Sequence, residues 1–353
     1  MAGEHVGGVL VAVPGKHVRG RRIGVDIELA GGVVAQEDID DCLSEGAKIA
    51  TPPDCAPLVA MPIGYRVDGE DGVSDPIGLS GSILSTQMFA AGARRSYLDN
   101  LADMIERCDL KVEDFAAAPH AAAEAVLLED EKELGVVLID IGASATGYAV
   151  YDNGALVECG GVAVGAGHIT RDIAQIFGAP LAHAERVKTL YGSALMGPGD
   201  EHRFIDFPQL GVAGETARAS RADICEVILP RLEEIFELVS QQLPDDGMRR
   251  SGLRRVVLTG GGSLLVGARE VAERTLGMKS RLGRPAAFPG SPEAASAPGF
   301  AVCAGLIQHC ANSGREGETG LGLLRQSAHA GRKLAEKKSS VFGGVESWLR
   351  AKF

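Results

Sequence analysis

The stretch GVVLIDIGASATGYAVYDNGALVE, residues 135–158, constrains the fold more than any other part of the chain. Residues 135–140 form an apolar run that is too short for a core helix and rich in branched side chains, so they read as a buried strand. IGASATG turns the chain, and Tyr148 to Tyr151 makes a second strand. Asp152-Asn153-Gly154 is a strong hairpin signal, because Asn and Gly accept the left-handed backbone of a tight two-residue turn. Ala155 to Glu158 then starts a third strand. With helices on either side, the class is α/β.

A second glycine turn follows at 256–277, VVLTGGGSLLVGAREVAERTLG. A strand, three glycines and a helix let backbone approach a nucleotide closely. The P-loop Lys-Ser/Thr pair is missing and G-x-G-x-x-G fails, so by itself this is equally a plain tight turn. Asp140, at the end of a strand and before a Gly-bearing turn, suits a carboxylate near a metal-bound phosphate, with the turn amides facing phosphate oxygens. Alone it also reads as a simple turn-former.

Around this centre the chain divides readily. Residues 6–13 read as a strand ending at Pro14-Gly15, and 22–34 as another. Gln36 opens a short acidic helix, Leu58 to Val67 and Ile83 to Ala91 are strands, and 68–81 is loop. Residues 1–92 thus form a small α+β unit. Helices are expected at 97–108, 116–128, 169–177, 182–190 and 299–308, with 192–215 loop-rich. Ser220-Arg-Ala-Asp223 has capping-box form and opens a long helix to about Leu243.

The whole-chain balance is −12, with 47 acidic against 35 basic side chains, which argues against nucleic acid as a partner. Forty-seven glycines are about twice the usual share of ~7% and mark turns and close backbone approaches. Seven scattered cysteines with no C-x-x-C pair read as buried thiols in a reducing cytoplasm. No apolar run reaches the roughly 18 residues of a membrane span, and MAGEHVGG is unlike a signal peptide.

In their order, the two turns and the helix carrying Glu185 and Lys188 between them resemble the actin-like ATPase superfamily, and more narrowly the FtsA family of bacterial cell-division proteins. PGKHV, VAQEDI and DPIGLSG are similar to landmarks of that family's inserted subdomain. ERCDLKVEDF and EDEKELGVVLIDIG lead into its second phosphate hairpin. GHITRDIAQIFGAPLAHAERVKTLYGSA is similar to its nucleotide-side helices and VVLTGGGSLLVG to its adenosine turn. The resemblance implies duplicated ribonuclease-H-like domains with the FtsA-type insertion. The divisions are 1–92 for the insert, 93–148 with 299–312 for the rest of the first domain, and 149–298 for the second, including a helical part at about 180–254. A linker at 313–338 and an amphipathic segment at 339–353 complete the chain.

Carried over by resemblance, ATP and Mg2+ are the cofactors. Asp140 would hold magnesium through water, and Gly142 with Ser144 would line the phosphates. Gly167 would approach them from the facing domain. Glu185 and Lys188 would contact ribose and adenine, and Gly260, Gly261, Gly262 and Ser263 would close over the adenosine. Glu185 and Lys188 read without the family as a solvated helix pair. Two departures stand out. Ala143, Ser144 and Ala145 replace the glycines and threonine of D-I-G-G-G-T, and Gly147 stands where the family has an acid. The chain also starts after the family's first phosphate loop, a truncated form of the fold; Gly24-Val-Asp26-Ile-Glu28 is a decoy for that loop. Nucleotide binding is therefore expected to be weak or absent and turnover weak.

The tail SSVFGGVESWLRAKF places Val341, Phe342, Val345, Trp348, Leu349 and Phe353 on one helical face. Six basic residues, including Arg350 and Lys352, stand against two acidic ones in 331–353. That pattern suits an interfacial anchor on anionic lipid, or a helix docked on its own protein. The resemblance implies a protein linking FtsZ filaments to the cytoplasmic face of the inner membrane at the septum. Filament self-association and contacts with other division proteins go with it. The C-terminal peptide of FtsZ would meet the 221–243 helix, with Arg231 and Glu234 as candidates; they also read as an ordinary i, i+3 ion pair. A small-molecule kinase of the same fold and an actin-like pilus-assembly adaptor are the alternatives.

Overall fold

The computed structural model describes residues 7–211, 214–243, 253–287 and 291–313. The proposed amphipathic residues Val341, Phe342, Val345, Trp348, Leu349, Arg350, Lys352 and Phe353 lie outside the described residues, as does the linker beyond 313.

The centre is a five-stranded sheet in the order β13-β12-β7-β8-β9. Its strands are β7 (Val136–Ile141), β8 (Thr146–Asp152), β9 (Ala155–Val162), β12 (Arg255–Thr259) and β13 (Lys279–Leu282). β7, β8 and β9 run as antiparallel hairpins, whereas β7, β12 and β13 are parallel. Both faces of β7 are buried, which explains its apolar run from Val136 to Ile139. Val137, Ile139 and Ile141 face one core, and Val136 and Leu138 face another. The hairpin at 152–154 is as expected, with Asn153 at φ 49° and Gly154 at φ 78°. Position 148 lies inside β8, whose pairing is continuous on both edges.

The first core is closed by α5 (Ala166–Ile176), α6 (Leu181–Tyr191), α7 (Arg221–Gln242) and α8 (Ala268–Leu276). The α7 start is the expected capping box: Ser220 Oγ accepts from Asp223 N at 3.1 Å, and Asp223 Oδ2 accepts from Ser220 N at 2.7 Å. Beside it the segment read as loop-rich, 192–215, contains a strand, β10 (Phe204–Pro208), which pairs antiparallel with β11 (Thr216–Ser220) just beyond it.

The second core lies on the opposite face, under α3 (Ala118–Val126) and α9 (Ala301–Ser313). Alanines of α3 let the two helix backbones touch, and a Cβ on Gly305 would strike the Ala121 carbonyl. Helix 116–128 is shorter than its composition suggests, because Lys111–Ala117 is a strand, β6, parallel to β1 (Gly8–Val13). Helix α2 (Arg95–Glu106) precedes β6, and a further short helix, α4 (Glu129–Leu134), precedes β7.

Between β1 and β6 lies the inserted unit. Its sheet has the order β2-β5-β3-β4, from β2 (Arg19–Glu28), β3 (Cys55–Val67), β4 (Glu70–Val73) and β5 (Ile83–Arg94). One face packs on α1 (Gln36–Ala50) and the other on the second core. α1 is a full helix rather than a short one. β1, read as part of this unit, pairs outside it with β6. Gly24 to Glu28 lies within β2, so it forms no phosphate loop. Of the cysteines, Cys42, Cys55, Cys159 and Cys225 are buried, but Cys108 and Cys303 are exposed, contrary to the expectation of buried thiols throughout.

Candidate functional site

The two glycine turns meet at the carboxyl end of β7. Thr259 pairs with Asp140 across the parallel β7–β12 ladder, so the chain leaving β12 passes directly over the Asp140 side chain. Gly260 makes this possible. Its φ is +80°, and a Cβ there would run into Asp140 Oδ1 and come within 2.6 Å of the Ile141 carbonyl. Gly262 lies as close to Ile141 and stands 3.0 Å from Ala166 Cβ by the same construction, while Gly261 faces open space. Ser263 is buried, and its hydroxyl donates to the Gly260 carbonyl at 2.7 Å. It therefore shapes the turn instead of facing a ligand.

The β7–β8 loop is packed against the start of α5. Gly142 N donates to Ala145 O at 3.0 Å, Ala166 N to Gly142 O at 2.9 Å, and Gly167 N to Ala143 O at 2.8 Å. Gly167 is thus tied to the hairpin itself; a Cβ there would stand 2.7 Å from the Ala143 carbonyl. The amides that the resemblance assigned to phosphate at Gly142 and Gly167 are already bonded. Ala143 and Ser144, at the tip, are exposed. Gly147 is explained sterically: any side chain there would come within 2.6 Å of Pro119 Cγ.

Glu185 and Lys188 form a pair tied into the protein, with Glu185 about half exposed, as a solvated pair would have it, and Lys188 largely buried. Lys188 Nζ donates to Glu185 Oε2 at 2.7 Å, to Thr170 Oγ1 at 2.8 Å and to the Ala166 carbonyl at 3.1 Å. Thr170 Oγ1 also bonds Glu185 Oε2. Burial alone would raise the Glu185 carboxyl, but the Lys188 and Thr170 bonds outweigh it and hold it low. The cluster fastens α6 to the first turn of α5. Its Thr170 carried no local sequence signal, because the partners come from two helices.

Asp140 differs from all of these. Among the described residues its side chain makes neither an ion pair nor a hydrogen bond, and burial pushes its carboxyl up to about 6. A desolvated carboxylate without a partner, facing a glycine turn, is what a metal-bound phosphate would complete. That group and the 260–262 backbone fit a magnesium nucleotide; Glu185, Lys188, Gly142, Gly167 and Ser263 are committed to protein contacts.

On α7, Arg231 spans to α5. Its Nε and Nη2 donate to Asp172 at 2.6 and 3.0 Å, and Nη1 pairs with Glu234. The candidate partner-binding pair is thus part of a three-residue ion network joining two helices.

Residues 137–305 match the family model for cell division protein FtsA, and 15–90 match the model for the SHS2 domain inserted in FtsA. Among curated proteins, the chain is similar to the cell division protein FtsA of Agrobacterium fabrum, 34% identical over 309 residues, covering 87% of this chain and 70% of that one. It is also similar to FtsA of Neisseria meningitidis, 33% identical with 96% and 82% covered, and of Escherichia coli, 29% identical with 100% and 83% covered. Among solved structures it is similar to a chain of the PilM–PilN type IV pilus biogenesis complex, at 21% identity and TM-score 0.56, covering 86% of this chain and 79% of that one. That likeness concerns fold alone. The architecture is α/β of the actin-like type with an inserted SHS2 domain.

Proposed function

The chain belongs to the FtsA family of cell division proteins, and from that premise we propose that it links FtsZ filaments to the cytoplasmic face of the inner membrane at the division septum. The observation that carries this reading is the presence in one chain of both the family body at 137–305 and its inserted domain at 15–90. A kinase reading or a pilus reading has no comparable support.

The membrane contact is assigned to the tail. Val341, Phe342, Val345, Trp348, Leu349 and Phe353 would enter the interface while Arg350 and Lys352 meet anionic headgroups. Each apolar side chain contributes about 1.5–3 kcal/mol on burial, offset by ordering costs that Gly343-Gly344 increases. One such tail is a weak anchor, and self-association into filaments would make many act together. The C-terminal peptide of FtsZ is proposed to dock along α7 near Arg231 and Glu234, with other division proteins meeting further surfaces. ATP with Mg2+ is proposed to bind weakly, Asp140 facing the metal and the 260–262 turn facing the nucleotide. The magnesium would neutralise phosphate charge.

Co-sedimentation tests the reading. The full chain should carry FtsZ down with phosphatidylglycerol vesicles, and a 1–339 truncation should leave both in the supernatant. Equal pelleting by the two forms would overturn it.

A further inference from the structure

The inserted domain holds a cationic pocket that plays no part in the site described above. On β2 the row Ile23, Val25, Ile27 faces α1 and belongs to the core between helix and sheet. Alternation continues that row to Arg21 and Arg19, which pair with Ala90 and Gly92 of β5. α1 ends at Ala50, so the two arginines lie on the helix-covered face just where the helix stops. The result is a cleft of about 490 Å³ whose floor includes Arg19 and Arg21 and whose wall includes Lys48, Ile49, Thr51 and Pro52.

Three features of this cleft point to a ligand. No carboxylate lines it. Neither Arg19 nor Arg21 forms a salt bridge among the described residues, and Lys48 has only a 3.4 Å pair with Glu45 in which both side chains are more than half exposed. Arg21 spends one N–H on the Ile49 carbonyl, which tethers the helix end and leaves its other donors unused. Finally, Thr51 Oγ1 is buried with no hydrogen-bond partner, the sole such side-chain atom among the described residues. An unmet buried hydroxyl is costly, and native structures rarely keep one without a use.

We infer that this pocket binds a phosphate ester. A carboxylate satisfies one guanidinium in a two-bond fork. A phosphate ester at neutral pH carries up to about two charges and three acceptor oxygens, enough to engage two arginines and a lysine together. Ile49, Pro52 and Pro53 supply an apolar wall for the organic part of the ester. In a chain of net charge −12, this local reversal of sign concentrates anions at one place.

Calorimetric titration of the full chain with pyrophosphate, without magnesium, tests the assignment. Wild type should bind, and Arg19→Glu/Lys48→Glu should bind about tenfold or more weakly at an unchanged melting temperature. Thr51→Val, which keeps every charge, should also weaken binding. Asp140→Asn should bind as wild type does, which separates this pocket from the nucleotide-facing turns. Soluble dihexanoyl-phosphatidylglycerol then identifies the source: displacement of pyrophosphate makes the occupant a lipid headgroup, and failure to displace makes it a free phosphate ester. Equal binding by wild type and the charge-reversed variant, loss of binding in Asp140→Asn, or preference for polyglutamate over pyrophosphate would overturn the inference.

Discussion

Glu131 and Asp140 bracket β7, and their surroundings differ in kind. Glu131, 5% exposed at the α4 end, accepts from Arg281 through both oxygens and from the Leu128 amide at 3.0 Å. Burial would raise its carboxyl, but the Arg281 and Leu128 bonds outweigh burial and hold it below the usual range. Asp140, at the other end, has no such bonds, and burial pushes it up to about 6. One carboxylate is completed by the fold and pins β13 to the α3–α4 junction, because Arg281 also donates to Val126 O at 3.2 Å. The other is left incomplete by the same fold. The difference separates a group that holds the structure from a group available to a ligand.

The contrast can be broken most severely at Gly260. Gly260→Ala would place a methyl against Asp140 and the Ile141 backbone at a φ that alanine disfavours. A loss of about 3–5 kcal/mol is expected, read by urea denaturation. Glu131→Ala comes next. It leaves Arg281 without its carboxylate, and since the arginine is 37% exposed, the loss should be about 3 kcal/mol, the low end for a broken buried pair.

Asp140→Asn should act in the opposite direction. Its folded pKa is raised, so the folded state binds the proton more tightly than the unfolded state. The charge penalty is therefore absent below about pH 4, grows between about 4 and 6, and is complete above that. Asp140→Asn should stabilise the chain at pH 7 by on the order of 2 kcal/mol and leave stability at pH 4 unchanged. Equal effects at both pH values would remove the contrast with Glu131. The smallest effect is expected from Lys188→Met, which removes the ammonium from the Ala166 carbonyl, Thr170 and the half-exposed Glu185 carboxylate at the α5–α6 junction, about 1 kcal/mol by the same denaturation.

Local chemistry made much of this legible in the sequence. The Asp152-Asn153-Gly154 turn, the Ser220–Asp223 cap and the strand–turn–strand centre are each determined by residues within a few positions of one another. β6 was hidden because KVEDFAA runs straight into an alanine-rich helix, and only pairing with β1 makes it a strand. β10 and β11 were hidden for the same reason, each existing through its partner. At the site, motif positions revealed that Asp140 and the 260–263 turn would meet, yet not which groups would remain free. Lys188 is occupied by Ala166 and Thr170 from another helix, Gly147 is shielded by Pro119 from across the core, and Ser263 is turned inward. Those outcomes depend on contacts between distant segments, which spacing along a chain does not encode.

Titration of the full chain with ATP in the presence of magnesium measures most directly whether Asp140 is the carboxylate kept for a ligand. Weak binding by the wild type is expected, about −4 to −5 kcal/mol, in the sub-millimolar to millimolar range. The heat should vanish in Asp140→Asn and when magnesium is withheld, while Glu131→Gln, where it folds, should bind as the wild type does. Undiminished binding by Asp140→Asn would contradict the account.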